Sequence, residues 1–389
     1  MKILFGSDVT FNYFLDKYPG DESAVKAMAE VKAYFKTADF SVINLESVVG
    51  NKSESTPIVK DGPNLMFKKE FMKYIEEISP SAAGLANNHT GDFGAEPIFN
   101  TINALNEIGV AHFGAGANIE EAYKPVIFEK DDIKVAVIGF CENEFGTATE
   151  SAPGSAGYSL GRVTAEIKKA QKNGYLPIVY FHGGNEQNPF PSPKKVELYR
   201  HFVDIGAKAV ICAHTHCPQG YEVYEGAPIV YSMGNFFFPA GDYSWGPRDK
   251  AWYYGYLSEL DITGKKVDIK VVPYRQSFEG LKILDGEELE KIKKYLDVIC
   301  APIKDSAFIQ RYFNAWCKRS TLIKALRYED KMSEDVALCV VPKNVLNCEA
   351  HNEVVTNHLR IICEQDKYSY EKEISNILKL KNMEIPEEL

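Results

Sequence analysis

Leu176-Pro177-Ile178-Val179-Tyr180-Phe181-His182-Gly183-Gly184-Asn185-Glu186 opens on an apolar, β-branched run and closes on an imidazole, two glycines, an amide and a carboxylate. A short apolar run bounded by glycine reads as a buried strand. A strand that ends in His or Asp presents it on the face where α/β sheets bind ligands. The same pattern recurs at Gly6-Ser7-Asp8, Asn44-Leu45-Glu46, Ala86-Asn87-Asn88-His89 and Ala213-His214-Thr215-His216. Four of the eight histidines lie in these segments. Converging from one sheet, the five segments would bring together two carboxylates, an amide and three or four imidazoles. That set suffices for two divalent ions about 3.5–4 Å apart, the equipment of a metal-dependent hydrolase.

Around these segments, apolar runs near 2–7, 40–45, 82–86, 133–140, 176–181 and 208–213 alternate with helix-period stretches near 22–37, 68–78, 95–108, 161–173 and 193–205. The alternation predicts an α/β sheet. After 216 the pattern changes to hairpins, 220–224 with 228–233 around Glu225-Gly226-Ala227 and 253–262 with 266–274 around Thr263-Gly264-Lys265, so a mixed sheet is expected. From about 283 glycine nearly vanishes, and helical spacing appears near 286–300, 306–328, 349–364 and 369–381. The expected division is 1–280 for the chemistry and 281–389 for a helical C-terminal region. In that region His351 and His358, seven apart, read as a solvated or packed helix face.

The chain has 389 residues, 45% of them hydrophobic, enough for a sizeable core. Its formal charge of −10 argues against a nucleic-acid backbone as partner. A small or polymeric anion remains compatible, because bound cations invert the local potential. The eight cysteines show no zinc-finger spacing and read as buried reduced thiols. Met1 is followed at once by strand sequence without a leader pattern, and no run approaches a membrane span, so a cytoplasmic protein without membrane insertion is expected.

Asp8 and Glu46 are hard carboxylates suited to divalent ions, although a turn or cap role fits each alone. Asn88 offers an amide oxygen. His89 is placed to act as general acid or transition-state donor. Asp92, three residues on, fits either an imidazole-orienting partner or the N-cap of the following helix. Glycines 183 and 184 let backbone approach an ion closely, and His182, His214 and His216 supply the imidazoles.

The ordered set Gly-x-Asp, Asn-Leu-Glu, Asn-Asn-His-x-x-Asp-x-Gly, His-Gly-Gly-x-Glu, His-x-His and Ser232-Met233-Gly234-Asn235-Phe236 resembles the CapA type of poly-γ-glutamate capsule synthesis proteins, a branch of the calcineurin-like metallophosphoesterases. The resemblance runs from residue 2 to about 275. It implies a four-layer α/β/β/α sandwich, followed here by the C-terminal helical extension. By that similarity Asp8 and His216 hold one ion, Asn88, His182 and His214 the other, and Glu46 bridges. Asn87, Glu186 and Asn235 are the expected substrate-binding groups, with His89 and Asp92 catalytic. The wider superfamily has Asp-x-His at the first strand, whereas this chain has Asp8-Val9-Thr10, leaving the first ion one imidazole short. His182-Gly183-Gly184 replaces the frequent His-Trp-Gly, which implies open space in place of an indole.

One or two divalent ions per chain (Mn²⁺, Zn²⁺ or Fe²⁺) are expected, activating water against a phosphoester or a γ-glutamyl amide bond. The reading from a different class is a non-catalytic accessory subunit of a polymer-synthesis complex, with a structural metal site. In either case the C-terminal helices are expected to bury an apolar face against either the sandwich itself or a second chain, a protein partner or, in self-association, another copy.

Overall fold

The apolar runs assemble into two sheets packed face to face in the computed structural model, which describes residues 1–14, 17–240, 248–326 and 336–389. The first sheet runs Gly280–Ile283, Lys266–Ser277, Tyr254–Thr263, Lys2–Val9, Phe40–Leu45, Ala82–Gly84, Ala111–Phe113, with Asn235–Phe237 paired beside the end of Lys2–Val9. The second runs Tyr221–Tyr224, Ala227–Val230, Ala209–Ala213, Leu176–His182, Ile133–Cys141, Val126–Lys130. Both are mixed, as the hairpin chemistry predicts. Glu225 and Gly226 both adopt positive φ at the first hairpin, the backbone of a two-residue turn matched to strand twist.

Alternation along Leu176–His182 shows how the layers form. Tyr180 points inward, its ring 6.0 Å from Phe5 and its hydroxyl donating to the Gly6 carbonyl at 3.0 Å. Phe181 points outward, 5.4 Å from Tyr199 and 6.2 Å from Phe202 of the helix Pro193–Asp204. On the far side, Asp21–Phe35 and Ala95–Glu107 bury Met28, Val31, Ile98 and Leu105 in one cluster with Leu4, Ile43 and Leu257 of the first sheet. The result is a four-layer α/β/β/α sandwich with a C-terminal helical extension.

The chemistry therefore comes from two sheets, not one. Asp8 lies at the end of a strand of the first sheet and Glu46 and Asn88 follow its parallel neighbours, whereas His182 ends a strand of the second sheet and His214 follows the next, with His182 registered beside Ala213. Periodicity marks a strand's burial but not the sheet it joins.

Beyond residue 285, helices Gly286–Cys300 and Ser306–Arg319 bury Tyr295, Ile299, Phe308 and Tyr312 in the cluster that also holds Ile211 and Tyr256. The helical stretch expected to reach 328 ends at Arg319; a short 3₁₀ turn, Leu322–Leu326, follows, and positions 327 and 328 lie outside the described residues. Among the described residues, no helix is long and apolar enough to cross a membrane.

Candidate metal centre

Three parallel strand ends set Asn44, Asp8 and Asn235 side by side. The Asp8 carboxylate, fully buried, accepts from Asn44 Nδ2 at 2.7 Å and from the His214 backbone N–H at 2.8 Å. His182 extends from the opposite sheet, its Nδ1 3.5 Å from Asp8 and its Nε2 3.3 Å from Glu46 Oε1. The same Nε2 lies 3.0 Å from His214 Nδ1 and 3.1 Å from Asn88 Oδ1. His216 Nε2 lies 3.8 Å from Glu46 Oε1, while its Nδ1 faces Asn235 Oδ1 at 2.8 Å.

Two ligand groups result, Glu46 with His182 and His214, and Asp8 with Glu46 and His216. Glu46 belongs to both. Glu46 is 0% exposed, and apart from ring nitrogens of His182, His216 and His89 at 3.3, 3.8 and 3.9 Å its carboxylate has no polar partner. An unpaired buried carboxylate is strongly unfavourable unless a cation compensates it. Crowding of an amide oxygen, a carboxylate oxygen and a second ring nitrogen within 3.3 Å of His182 Nε2 makes the same demand. The residues present fit divalent ions, with Glu46 between them.

Backbone conformation supports this. His214 (φ 95°) and His216 (φ 54°) are both left-handed, a strain that concentrates at functional loops. Thr10, where the sequence resemblance led to the expectation of an imidazole, turns its hydroxyl onto Ser47 at 2.9 Å. The space expected beside Gly183 is filled instead: a Cβ there would meet Glu142 Cγ at 2.6 Å.

Electrostatics show the same need for positive charge. Burial alone would lower the His182 pKa, but Glu46 and Asp8 outweigh it and raise it to about 10. Burial and the neighbouring charges of His182 and His216 hold His214 well below its ordinary value. Burial opposes ionisation of Asp8, yet His182, His216 and Asn44 hold its pKa below the usual carboxylate value. The two carboxylates thus favour a proton on His182 in place of a cation. This proton stabilises the metal-free fold fully below about pH 6.5, and the stabilisation is lost as pH rises through about 10. A metal ligated by His182 must displace it. Metal affinity is therefore expected to rise about tenfold per pH unit between those limits, with about one proton released per ion; calorimetric titration in buffers of different ionisation enthalpy measures that proton.

His89 stands beside the ligands, its Nε2 3.9 Å from Glu46 Oε1. Its Nδ1 faces Asp92 Oδ2 at 2.7 Å, and that oxygen also accepts from the Leu65 backbone N–H at 2.7 Å. The following helix, Ala95–Glu107, has Gly94 rather than Asp92 at its N-cap, without a side-chain cap. Lys60, unforeseen in the sequence, has a buried ammonium that pairs with Asp92 Oδ1 and lies 3.1 Å from His89 Nδ1. Its only sequence signal is the turn Asp61-Gly62-Pro63 beside it. Asn87 and Asn235, expected at the substrate, are fully buried in the frame: Asn87 bonds Leu45 O and Asn44, and Asn235 bonds His216 and Trp252 O. Glu186 is exposed at the rim of a cleft of about 360 Å³ that reaches Asn88, His89 and His216. Arg248 lines it too, 4.4 Å from the Trp252 ring, as do Trp316 and His351 from the C-terminal helices. A roomier hollow of about 600 Å³ beside Asn51, Lys68 and Glu107 contains none of these groups.

Residues 2–240 match the family model described as "Bacterial capsule synthesis protein PGA_cap". The chain is 32% identical over 218 residues to the capsule biosynthesis protein CapA of Bacillus anthracis, covering 54% of this chain and 53% of that protein. It is 25% identical over 240 residues to the PGA biosynthesis protein CapA of Bacillus subtilis, covering 61% and 63%. The matches thus span between about half and just under two thirds of these relatives' length. A solved phosphatase from Mycoplasma pneumoniae aligns with a TM-score of 0.44 at 13% identity, covering 75% of this chain and 96% of the phosphatase.

Proposed function

The chain belongs to the PGA_cap family of bacterial capsule synthesis proteins, and from that membership together with the geometry of the centre we propose that it is a metal-dependent hydrolase acting on an anionic substrate of capsule or poly-γ-glutamate metabolism. The observation that carries the reading is the buried Glu46 carboxylate, shared by two ligand groups that lie beside a cleft reaching Asn88, His89 and His216. Asp8, Glu46 and His216 would hold one ion, and Glu46, His182, His214 and Asn88 the other. Such ions would supply Lewis-acid polarisation of the scissile group and a more acidic water.

The remaining residues divide the other tasks. With Asp92 accepting at Nδ1, His89 turns Nε2 towards the centre, where as imidazolium it can pass a proton to the departing oxygen or nitrogen. Lys60 holds Asp92 in that orientation. Arg248, which lines the cleft, favours a negatively charged substrate, small or the end of a polymer. A phosphoester and a γ-glutamyl amide both satisfy this chemistry.

A second reading, an accessory subunit whose ions are structural, is favoured by the relatives' names, which speak of biosynthesis rather than hydrolysis. Turnover separates the two. Assayed with Mn²⁺, Zn²⁺ and Fe²⁺ against phosphoesters and γ-glutamyl peptides, the protein is expected to hydrolyse one class and to lose that activity on chelation. Full metal occupancy with no turnover across the panel favours the accessory role.

A further inference from the structure

The C-terminal helices bring a second set of metal-binding side chains to the same cleft. Helix Glu349–Cys363 begins immediately after Cys348, and its first turn carries His351. Cys348 Sγ lies 3.5 Å from Glu144 Oε1, and His351 Nε2 lies 3.7 Å from that same oxygen. Glu144, Cys348 and His351 form a third convergent group of ligand atoms, distinct from the two that share Glu46. Two of these residues lie outside the 2–240 span of the family match.

Several features suggest that a cation belongs there. Glu142, 3.6 Å from Cys348 Sγ, is neutralised by Lys195, but Glu144 has no Lys or Arg partner among the described residues, although its side chain is only 6% exposed. Asn344 sits behind His351, its Nδ2 3.2 Å from Nδ1, with its own Oδ1 buried and unpartnered. Rotating that amide by half a turn, which exchanges only its nitrogen and oxygen, lets Oδ1 accept the Nδ1–H. It would satisfy the orphaned oxygen and leave Nε2 bare towards Glu144. A ligating histidine is fixed by its second nitrogen in this way.

We propose that Glu144, Cys348 and His351 bind one zinc-class divalent cation, separate from the Glu46 pair, which pins the C-terminal helices to the sandwich at the mouth of the cleft. The donor set of thiolate, imidazole and carboxylate suits zinc, with the fourth position open to the cleft for water or substrate. On binding, the Cys348 thiol releases its proton to solvent. Glu144 also accepts from Asn88 Nδ2 at 2.7 Å, while Asn88 Oδ1 faces His182. The cation would therefore be joined to the Glu46 pair through a single side chain.

The probe is Co²⁺ titrated into the full-length metal-free protein. The Glu46 pair offers only oxygen and nitrogen, so a thiolate-to-cobalt charge-transfer band in the near ultraviolet reports the new site alone. The band is expected in the wild type, lost in Cys348→Ser, weakened in His351→Gln, and retained in His214→Ala. His351 is partly exposed, so its variant is expected to fold even where Cys348→Ser does not. Absence of the band in the wild type, or an unchanged band in either Cys348→Ser or His351→Gln, overturns the assignment. Neither result bears on hydrolysis at the Glu46 pair.

Discussion

Alanine at position 89 is expected to leave the metal content unchanged and to lower turnover about 10²–10⁴-fold, the range for a positioned acid–base group. His89 Nε2 is 3.9 Å from Glu46 Oε1, farther than the 3.3 Å of His182, and it belongs to neither Glu46 ligand group. Its Nδ1 is held by Asp92, which is in turn held by Lys60. That hold leaves Nε2 free, and its place outside both ligand groups assigns it proton transfer rather than coordination. His214→Ala is expected to do the opposite and release metal. Elemental analysis and steady-state kinetics on both variants test the pair of phenotypes. Metal loss in His89→Ala would make His89 a ligand and leave the proton-transfer role without a candidate.

Ending the chain at Leu284 is expected to abolish folding. The cut leaves both sheets complete but removes Tyr295, Ile299, Ile303 and Tyr312, each no more than 2% exposed and all in the main core cluster. Burying a side chain of this size contributes about 1.5–3 kcal/mol, so together they rival the whole stability of a typical domain, about 5–15 kcal/mol. The sandwich surface they cover is shaped for them. A Cβ on Gly220 would lie 2.6 Å from Ile303 Cδ1, and Phe190 packs edge-on at 5.3 Å from Phe308 and 5.1 Å from Tyr312. Thermal melts of the truncated protein check this. A soluble, cooperative unfolding transition near that of the full chain would show the helices to be an appended module.

Comparison of these residues with the sequence shows where reading stops. Asp8, Glu46, Asn88, His182, His214 and His216 were legible because each follows an apolar run, and a run's end fixes which edge of a sheet its polar residue reaches. Lys60 was not, because it lies on an aperiodic loop whose path depends on contact with Asp92. His351 read as part of a helix face because spacing within a helix shows which residues share a side, not what that side meets. Asn235 illustrates a further limit: the motif that contains it was visible, but only the pairing of Asp8 with Asn235 shows that its amide holds His216 rather than facing the cleft. The amphipathic tail likewise announces a buried face but leaves open whether the sandwich or a second chain covers it.

The central claim is that Glu46 lies between two metal ions, and anomalous diffraction from crystals grown with Mn²⁺ tests it most directly. The account predicts two difference peaks flanking the Glu46 carboxylate about 3.5–4 Å apart, one beside His182 and His214 and the other beside Asp8 and His216. Crystals showing no anomalous peak at Glu46 at saturating metal would contradict it.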